Sequence, residues 1–323
     1  MCTAVTYQTA DHYFGRTLDL EYAYHETVVV TPRKYPLAFR RMGTLENHYA
    51  IIGMATVAED YPLYYEAANE HGLAMAGLNF PGNACYYEEK EGADNVSPFE
   101  FIPWLLGRCR NLREAREALD RINLCEINFS EEMPLSPLHW IIADRDGAIT
   151  VETVSRGMKI YENPVGVLTN NPPFDYHMLH LADYLNLSAC EPGESFGGVV
   201  LERYCKGMGA IGLPGDLSSA SRFVRAAFTK LHSVSGESEE ESISQFFHIL
   251  GAVEQQRGCA RLPDGKYEIS FYTSCINTDK GIYYYTTYEN QCISAVDMHR
   301  CDLDGEKLSV FPLTRGQQIL WQN

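Results

Sequence analysis

Strand-forming and helix-forming stretches come in separate blocks along this chain, and that segregation constrains the fold more than any other feature. The first eighty residues read as strands. "CTAVTYQ" (2–8) and "HYFGRTLDLEY" (12–22) flank a polar turn and predict an N-terminal hairpin. "ETVVVTPR", "YAIIGMATVA" and "YYEAANEHGLAMAGLN" extend the sheet. Helices follow. Ser97, Pro98 and Glu100 spell a capping box with proline at the first helical position, and "NLRE" (111–114) repeats the device before an apolar stripe of Leu112, Ala115, Leu119 and Ile122. Strands return in "LHWIIADRDGAITVETV", "GMKIYEN" and "VGVLTN". A second helical block holds "YHMLHLADYLNL", "SRFVRAAFTKLHSV" and "SEEESISQFFHILGAVEQ", the last capped by Ser238 and Glu241. The chain closes with "YEISFYTSCIN" and "GIYYYTTYENQCISAVDMH". Segregated blocks predict an α+β fold rather than alternating βαβ units. Two antiparallel sheets packed face to face, with helices on both outer faces, use every segment.

Composition excludes several function classes. Twenty-six basic residues against 43 acidic ones give a net charge of −17, which repels phosphate backbones and anionic membranes and argues against a nucleic-acid partner. The apolar runs "FIPWLLG" and "LHWIIA" are too short to span a bilayer, and no basic-then-apolar leader opens the chain, so no membrane insertion and a cytoplasmic location are expected. The ten cysteines are scattered, with no C-x-x-C pair and no repeated Cys/His spacing, which favours reduced thiols over a zinc site. His177 and His180 share helical spacing without a third local ligand and read as helix-surface residues. No glycine-rich phosphate loop is present, so neither a metal nor an organic cofactor is expected.

Cys2 is the candidate nucleophile. In the simplest view it is a small apolar residue on the core side of a strand. If Met1 is removed, however, its thiol and a free α-amine belong to one residue. That amine has an ordinary pKa near 8 and acts as the thiol's own base, which an embedded cysteine cannot provide. Arg16 and Asp19, in "FGRTLDL", extend from the hairpin that pairs with the first strand. Arg16 would favour the thiolate and Asp19 would accept a hydrogen bond from the terminal nitrogen; an exposed ion pair is the alternative. Asn79 in "AGLNFPGN" and Asn170 in "VLTNNPP" end strand-like runs before proline-containing turns, where asparagine is favoured structurally and where its amide can also serve an oxyanion. Arg222 lies early in an amphipathic helix, with Arg225 as a competing candidate.

"MCTAVT", "YFGRTLDL", "DYPLYYEAANEHGLAMAGLNFPGNA", "PFEFIPWLLG", "GVLTNNP", "GLPGDLSSASRFVRAAF" and "YYYTTYEN" together resemble the choloylglycine hydrolase family, which comprises bile salt hydrolases and penicillin V acylases of the N-terminal nucleophile class. The resemblance runs from the first residue to the end of the chain. It implies a four-layer αββα sandwich forming one domain over residues 1–323, with Met1 removed. It also implies Cys2 as nucleophile, with Arg16, Asp19, Asn170 and Arg222 around it and Asn79 with Arg16 contacting substrate. The implied partners are conjugated bile salts, and the implied assembly is a homotetramer. Penicillin V acylase activity, and a catalytically inactive binding homologue, are the alternatives. For a steroid-sized substrate, Leu20, Tyr22, Tyr24, Leu63, Tyr65, Leu135 and Leu138 are candidate apolar wall residues, with core packing as their other role.

Overall fold

In the computed structural model, which describes residues 1–193 and 195–323, the strand blocks form two large antiparallel sheets. The first sheet has six strands in the order Val167–Leu168, Cys2–Gln8 (β1), His12–Leu20 (β2), Ile269–Asn277, Ile282–Thr287 and Asn290–Asp297. The second has eight: Gly157–Glu162, Gly147–Val154, Leu138–Asp144, Ala74–Asn79, Tyr61–Asn69, Ile51–Ala58, Thr27–Thr31 and Ser309–Pro312. The N-terminal hairpin forms as expected, with Cys2 opposite Leu18 and Ala4 opposite Arg16.

Helices cover both outer faces. Phe101–Leu106 (α1) and Leu112–Leu119 (α2) pack on the second sheet. Their apolar residues, including Phe101, Trp104, Leu105 and Leu112, join Ile142, Ile149 and Trp140 in one buried cluster. Phe174–Leu181 (α3), Ser219–His232 (α4) and Glu239–Gly251 (α5) lie on the other side of the molecule, α4 and α5 directly on β1. Their Phe174, Phe223, Phe246 and Ile249 join a second cluster that also holds residues of both sheets, from Ala4 and Phe14 to Ile52 and Ala76. The order helix, sheet, sheet, helix is the αββα sandwich. An inner sheet of such a sandwich is covered on both faces. β1 is accordingly buried from Cys2 through Tyr7 rather than alternating in and out.

The caps follow the sequence with one difference. Ser238 Oγ accepts from the Glu241 N–H (3.1 Å) while the Glu241 carboxylate accepts from the Ser238 N–H (3.0 Å). At α2, Asn111 Oδ1 accepts from the Glu114 N–H, but the Glu114 carboxylate takes the N–H of Arg110 instead of that of Asn111. The extended run at 281–299 divides into two strands, turning at Tyr288 and Glu289.

Two glycines set the spacing inside the sandwich. A Cβ on Gly15 would lie 2.0 Å from the Ser274 carbonyl oxygen on the adjacent strand. One on Gly53 would lie 2.2 Å from the Glu66 carbonyl oxygen.

Candidate active site

Cys2 begins β1 and is buried, and its neighbours converge from four separate parts of the chain. Its backbone nitrogen donates to Asn170 Oδ1 at 2.8 Å. Its carbonyl oxygen accepts from Arg222 at 2.5 Å; the same guanidinium donates to Thr3 Oγ1 (2.7 Å), Asn170 Oδ1 (2.8 Å) and the Leu217 carbonyl (3.0 Å). Arg222 is fully buried, so all these donors are spent inside the protein. Arg225 instead donates to the Pro214 and Asp216 carbonyls on the loop before α4 and does not touch Cys2. Of the two arginines, Arg222 joins the network.

Asn170 is held on every side. Its Nδ2 donates to the Asn79 carbonyl (2.7 Å), and its own N–H donates to Ser219 Oγ (2.8 Å). Thus the Asn170 side chain ties the Cys2 nitrogen to the end of the Ala74–Asn79 strand. Among the described residues, the Asn79 side-chain amide has no hydrogen-bond partner and is half-buried, so its N–H groups are available to a ligand.

Arg16 is an inner-face residue of β2, not half of an exposed ion pair. Its guanidinium donates to the carbonyls of Thr17 (3.2 Å), Tyr65 (3.3 Å) and Gly77 (2.5 Å). Burial opposes its charge, but Cys2, Tyr272, Glu66 and Asp19 more than compensate and raise its pKa above the ordinary guanidinium value. Asp19 is fully buried too, and its carboxylate accepts from Ser270 Oγ (2.6 Å) and Thr17 Oγ1 (3.1 Å). A register shift between Ser270 and Tyr272 sets Ser270 opposite Asp19 and Tyr272 opposite Leu18.

Met1 shows what surrounds the terminal nitrogen. Its ammonium donates to the Asp19 carbonyl (2.7 Å) and pairs with the Glu268 carboxylate, and its carbonyl accepts from the Asp19 N–H (3.0 Å). The Asp19 backbone, rather than its carboxylate, therefore meets the chain terminus. Burial pushes the Met1 amine below its usual value of 8, against the opposing influence of Cys2 and Asp19.

Several contributors had no clear signal in the sequence. His139 is fully buried between Glu152 (3.0 Å) and the Thr169 carbonyl (2.9 Å), stacked on Phe80 with ring centroids 4.2 Å apart. His177 is not a surface residue: it is buried against Phe223, its Nε2 contacts the Asn170 carbonyl at 2.8 Å, and burial lowers its pKa to about 4. His180, by contrast, faces Asp183 near the surface. The two helical histidines therefore have different surroundings and share no ligand. Two histidines thus meet consecutive carbonyls of the segment that carries Asn170.

The candidate wall residues are all at least partly exposed. Tyr22 and Tyr24 are exposed and hydrogen-bonded to one another, whereas Leu20 and Tyr65 pack on the inter-sheet core and Leu138 on the outer one. Leu63 and Leu135 are half-buried. All ten cysteines are free thiols. No helix among the described residues is long and apolar enough to cross a membrane.

An αββα sandwich with a cysteine at the head of an inner strand, its nitrogen held by an asparagine and two buried arginines beside it, defines the N-terminal nucleophile class of amide hydrolase. Comparison with known proteins gives the family. The description "Linear amide C-N hydrolases, choloylglycine hydrolase family" matches residues 2–311, and the chain belongs to that family. It is 55% identical, over 97% of both chains, to a protein of Lactiplantibacillus plantarum named bile salt hydrolase/transferase. Its structure superposes with a TM-score of 0.93 on a mutant conjugated bile acid hydrolase from Clostridium perfringens, at 37% identity and covering 100% of both chains. A penicillin V acylase from Agrobacterium tumefaciens shares the fold (TM-score 0.77, 19% identity, 97% of this chain and 92% of that one).

Proposed function

We propose that this enzyme hydrolyses the amide bond joining a bile acid to glycine or taurine, with Cys2, made N-terminal by removal of Met1, as its nucleophile. The observation that carries the chemistry is the Cys2 nitrogen lying 2.8 Å from Asn170 Oδ1: once free, that amine is oriented by an acceptor that cannot take its proton away.

The amine accepts the thiol proton, and the thiolate attacks the carbonyl carbon to form a tetrahedral oxyanion. The unpartnered amide of Asn79 is the donor suited to that oxyanion. Asn170 has one Nδ2 hydrogen committed to the Asn79 carbonyl and acts chiefly in orienting the amine. The protonated amine then donates to the leaving nitrogen as the C–N bond breaks. Water attacks the resulting thioester and releases the bile acid, with the amine again acting as base. The side chains available to line a steroid site are Leu20, Tyr22, Tyr24, Leu63, Tyr65, Leu135 and Leu138, and the −17 surface leaves affinity for an anionic conjugate to apolar burial and local donors.

Parallel assays with glycocholate, taurocholate and penicillin V test the substrate. Faster release of glycine or taurine supports the reading, and a kcat/KM favouring penicillin V moves the protein to the acylase branch. Intact mass tests processing, since active enzyme that keeps methionine on every molecule would sink the mechanism.

The same reading makes the protein a cytoplasmic homotetramer. Assembly is supported by the short hairpin Ser195–Phe196 with Val199–Val200, where Phe196, Val200 and nearby Tyr204 are each more than 70% exposed. Light scattering after gel filtration, with Phe196 and Val200 replaced by Ser, tests that part.

A further inference from the structure

Beneath Arg16, between the two sheets, lies a fully buried carboxylate for which the chemistry above has no use. Glu66 is on the Tyr61–Asn69 strand of the second sheet, and its Oε2 lies 3.8 Å from Arg16 Nε, the one carboxylate within 4 Å of that guanidinium among the described residues. Its two oxygens accept from Tyr272 (2.7 Å) and Tyr283 (2.5 Å), phenols from two strands of the first sheet. Arg16, Glu66, Tyr272 and Tyr283 are all at the limit of burial. A carboxylate is costly to bury unless its lone pairs are filled and a cation is near, and here both conditions hold.

Arg16 lies on β2 opposite Ala4, two residues along β1 from Cys2, and interacts electrostatically with Cys2. The other charged groups facing Cys2 are Arg222 from α4, Asp19 from β2, and the terminal amine with Glu268. Glu66, by contrast, reaches the site through Arg16.

We propose that Glu66 is a positioning residue: it holds the Arg16 guanidinium beside Cys2 and, as a carboxylate, tempers the positive charge that Arg16 presents to the thiol. An Arg16 without this partner would favour the thiolate more strongly. The thiolate is then better populated but a weaker nucleophile and a better leaving group, since nucleophilicity falls as thiol pKa falls. Glu66 thereby preserves the nucleophilicity of the thiolate that forms when the terminal amine takes the proton. Burial pushes the Glu66 carboxyl above its usual range, and Arg16 together with the hydrogen bonds from Tyr283 and Tyr272 opposes that rise and favours the charged form.

The proposal rests on Cys2 being the nucleophile, and the test separates the two claims. Processed enzyme is alkylated with iodoacetamide from about pH 5 to about pH 10, and labelling of the Cys2 peptide is followed by mass spectrometry alongside loss of activity. In Glu66→Gln, the midpoint for Cys2 labelling shifts down by about one unit, as expected on removing a negative charge from a buried cluster. Glu66→Asp keeps the charge and returns the midpoint towards that of the parent. Tyr283→Phe, which retains the carboxylate but removes a donor, shifts it down by less. This variant carries the test if Glu66→Gln does not fold. Equal midpoints in the parent and Glu66→Gln, or equal shifts in Glu66→Gln and Glu66→Asp, overturn the role of Glu66 while leaving the nucleophile intact. Inactivation that tracks another cysteine, or a Cys2→Ser protein that keeps full turnover, overturns the nucleophile itself.

Discussion

At its Cys2 end β1 lies against Arg222, with Arg16 on β2 opposite Ala4. Four residues on, Thr6 lies against Lys230, with His12 close by on β2. Both ends of the hairpin therefore bury basic groups, but they treat charge in opposite ways. At the Cys2 end the bases are arginines, which do not deprotonate, and they meet Asn170 Oδ1, backbone carbonyls and the Glu66 carboxylate, with Asp19 acting from further off. At the far end, Lys230 has, among the described residues, only the Thr6 hydroxyl and the Val165 carbonyl as hydrogen-bond partners, and desolvation lowers it to about 8. Desolvation likewise lowers His12 to about 4, against the pull of Asp279. The lesson is that the Cys2 end of this hairpin retains buried charge, whereas its far end uses bases able to go neutral.

The sharpest way to break that comparison is at the nucleophile. Cys2→Ala is expected to lose turnover by about 10⁴-fold or more with thermal unfolding almost unchanged, measured by glycine or taurine release and calorimetry. Next comes Asn170→Ala, which frees both the Cys2 nitrogen and Arg222. Turnover should fall by about 10²-fold, and a rise in KM alone would make Asn170 a substrate contact instead.

A third test uses acid, because His12 and His177 titrate alike but serve different ends of the molecule. Each has a folded-state pKa near 4 against an ordinary 6.5, so the unfolded chain takes up protons first as pH falls. Each contributes stability that is present above about pH 6.5 and lost down to about pH 4, at most about 3 kcal/mol apiece. Urea midpoints against pH in the parent and in His12→Asn and His177→Asn should show each variant losing part of that dependence. Only His177→Asn should also reduce kcat, because His177 holds the Asn170 carbonyl. The smallest effect is expected for Lys230→Met: kcat within about threefold of the parent and stability changed by about 1 kcal/mol, the scale of the hydrogen bonds lost. A tenfold drop in kcat there would show that the two ends of β1 are coupled.

What the sequence made legible followed from local pattern. The hairpin, the caps and the two asparagine turns each occupy a few consecutive residues, and all are visible in the structure apart from the reciprocal half of the α2 cap. Glu66, Tyr272 and Tyr283 were not legible, because their contacts join residues more than 200 positions apart. A register irregularity opposite Met54 and Ala55 also interrupts the alternation at Glu66, so strand periodicity does not mark it as inward-facing. His177 was misread for a related reason: helical spacing gives two residues one face but does not say that α3 sinks one of them against Phe223. The strand Ser309–Pro312 was missed because four residues carry little pattern, and its partner, Thr27–Thr31, lies at the other end of the sequence.

Gly15 and Gly53 bear on how such an enzyme can be retuned. One immediately precedes Arg16, and the other abuts the backbone of Glu66 and Ala67, so a side chain at either would force the strands apart at the layer that holds both charges. In a saturation library scored by activity, these two positions should tolerate almost nothing and would resemble catalytic residues although they touch no substrate. On the proposed function, productive diversity is expected instead at the exposed Tyr22 and Tyr24, the candidate wall residues that lie outside the buried charge layer.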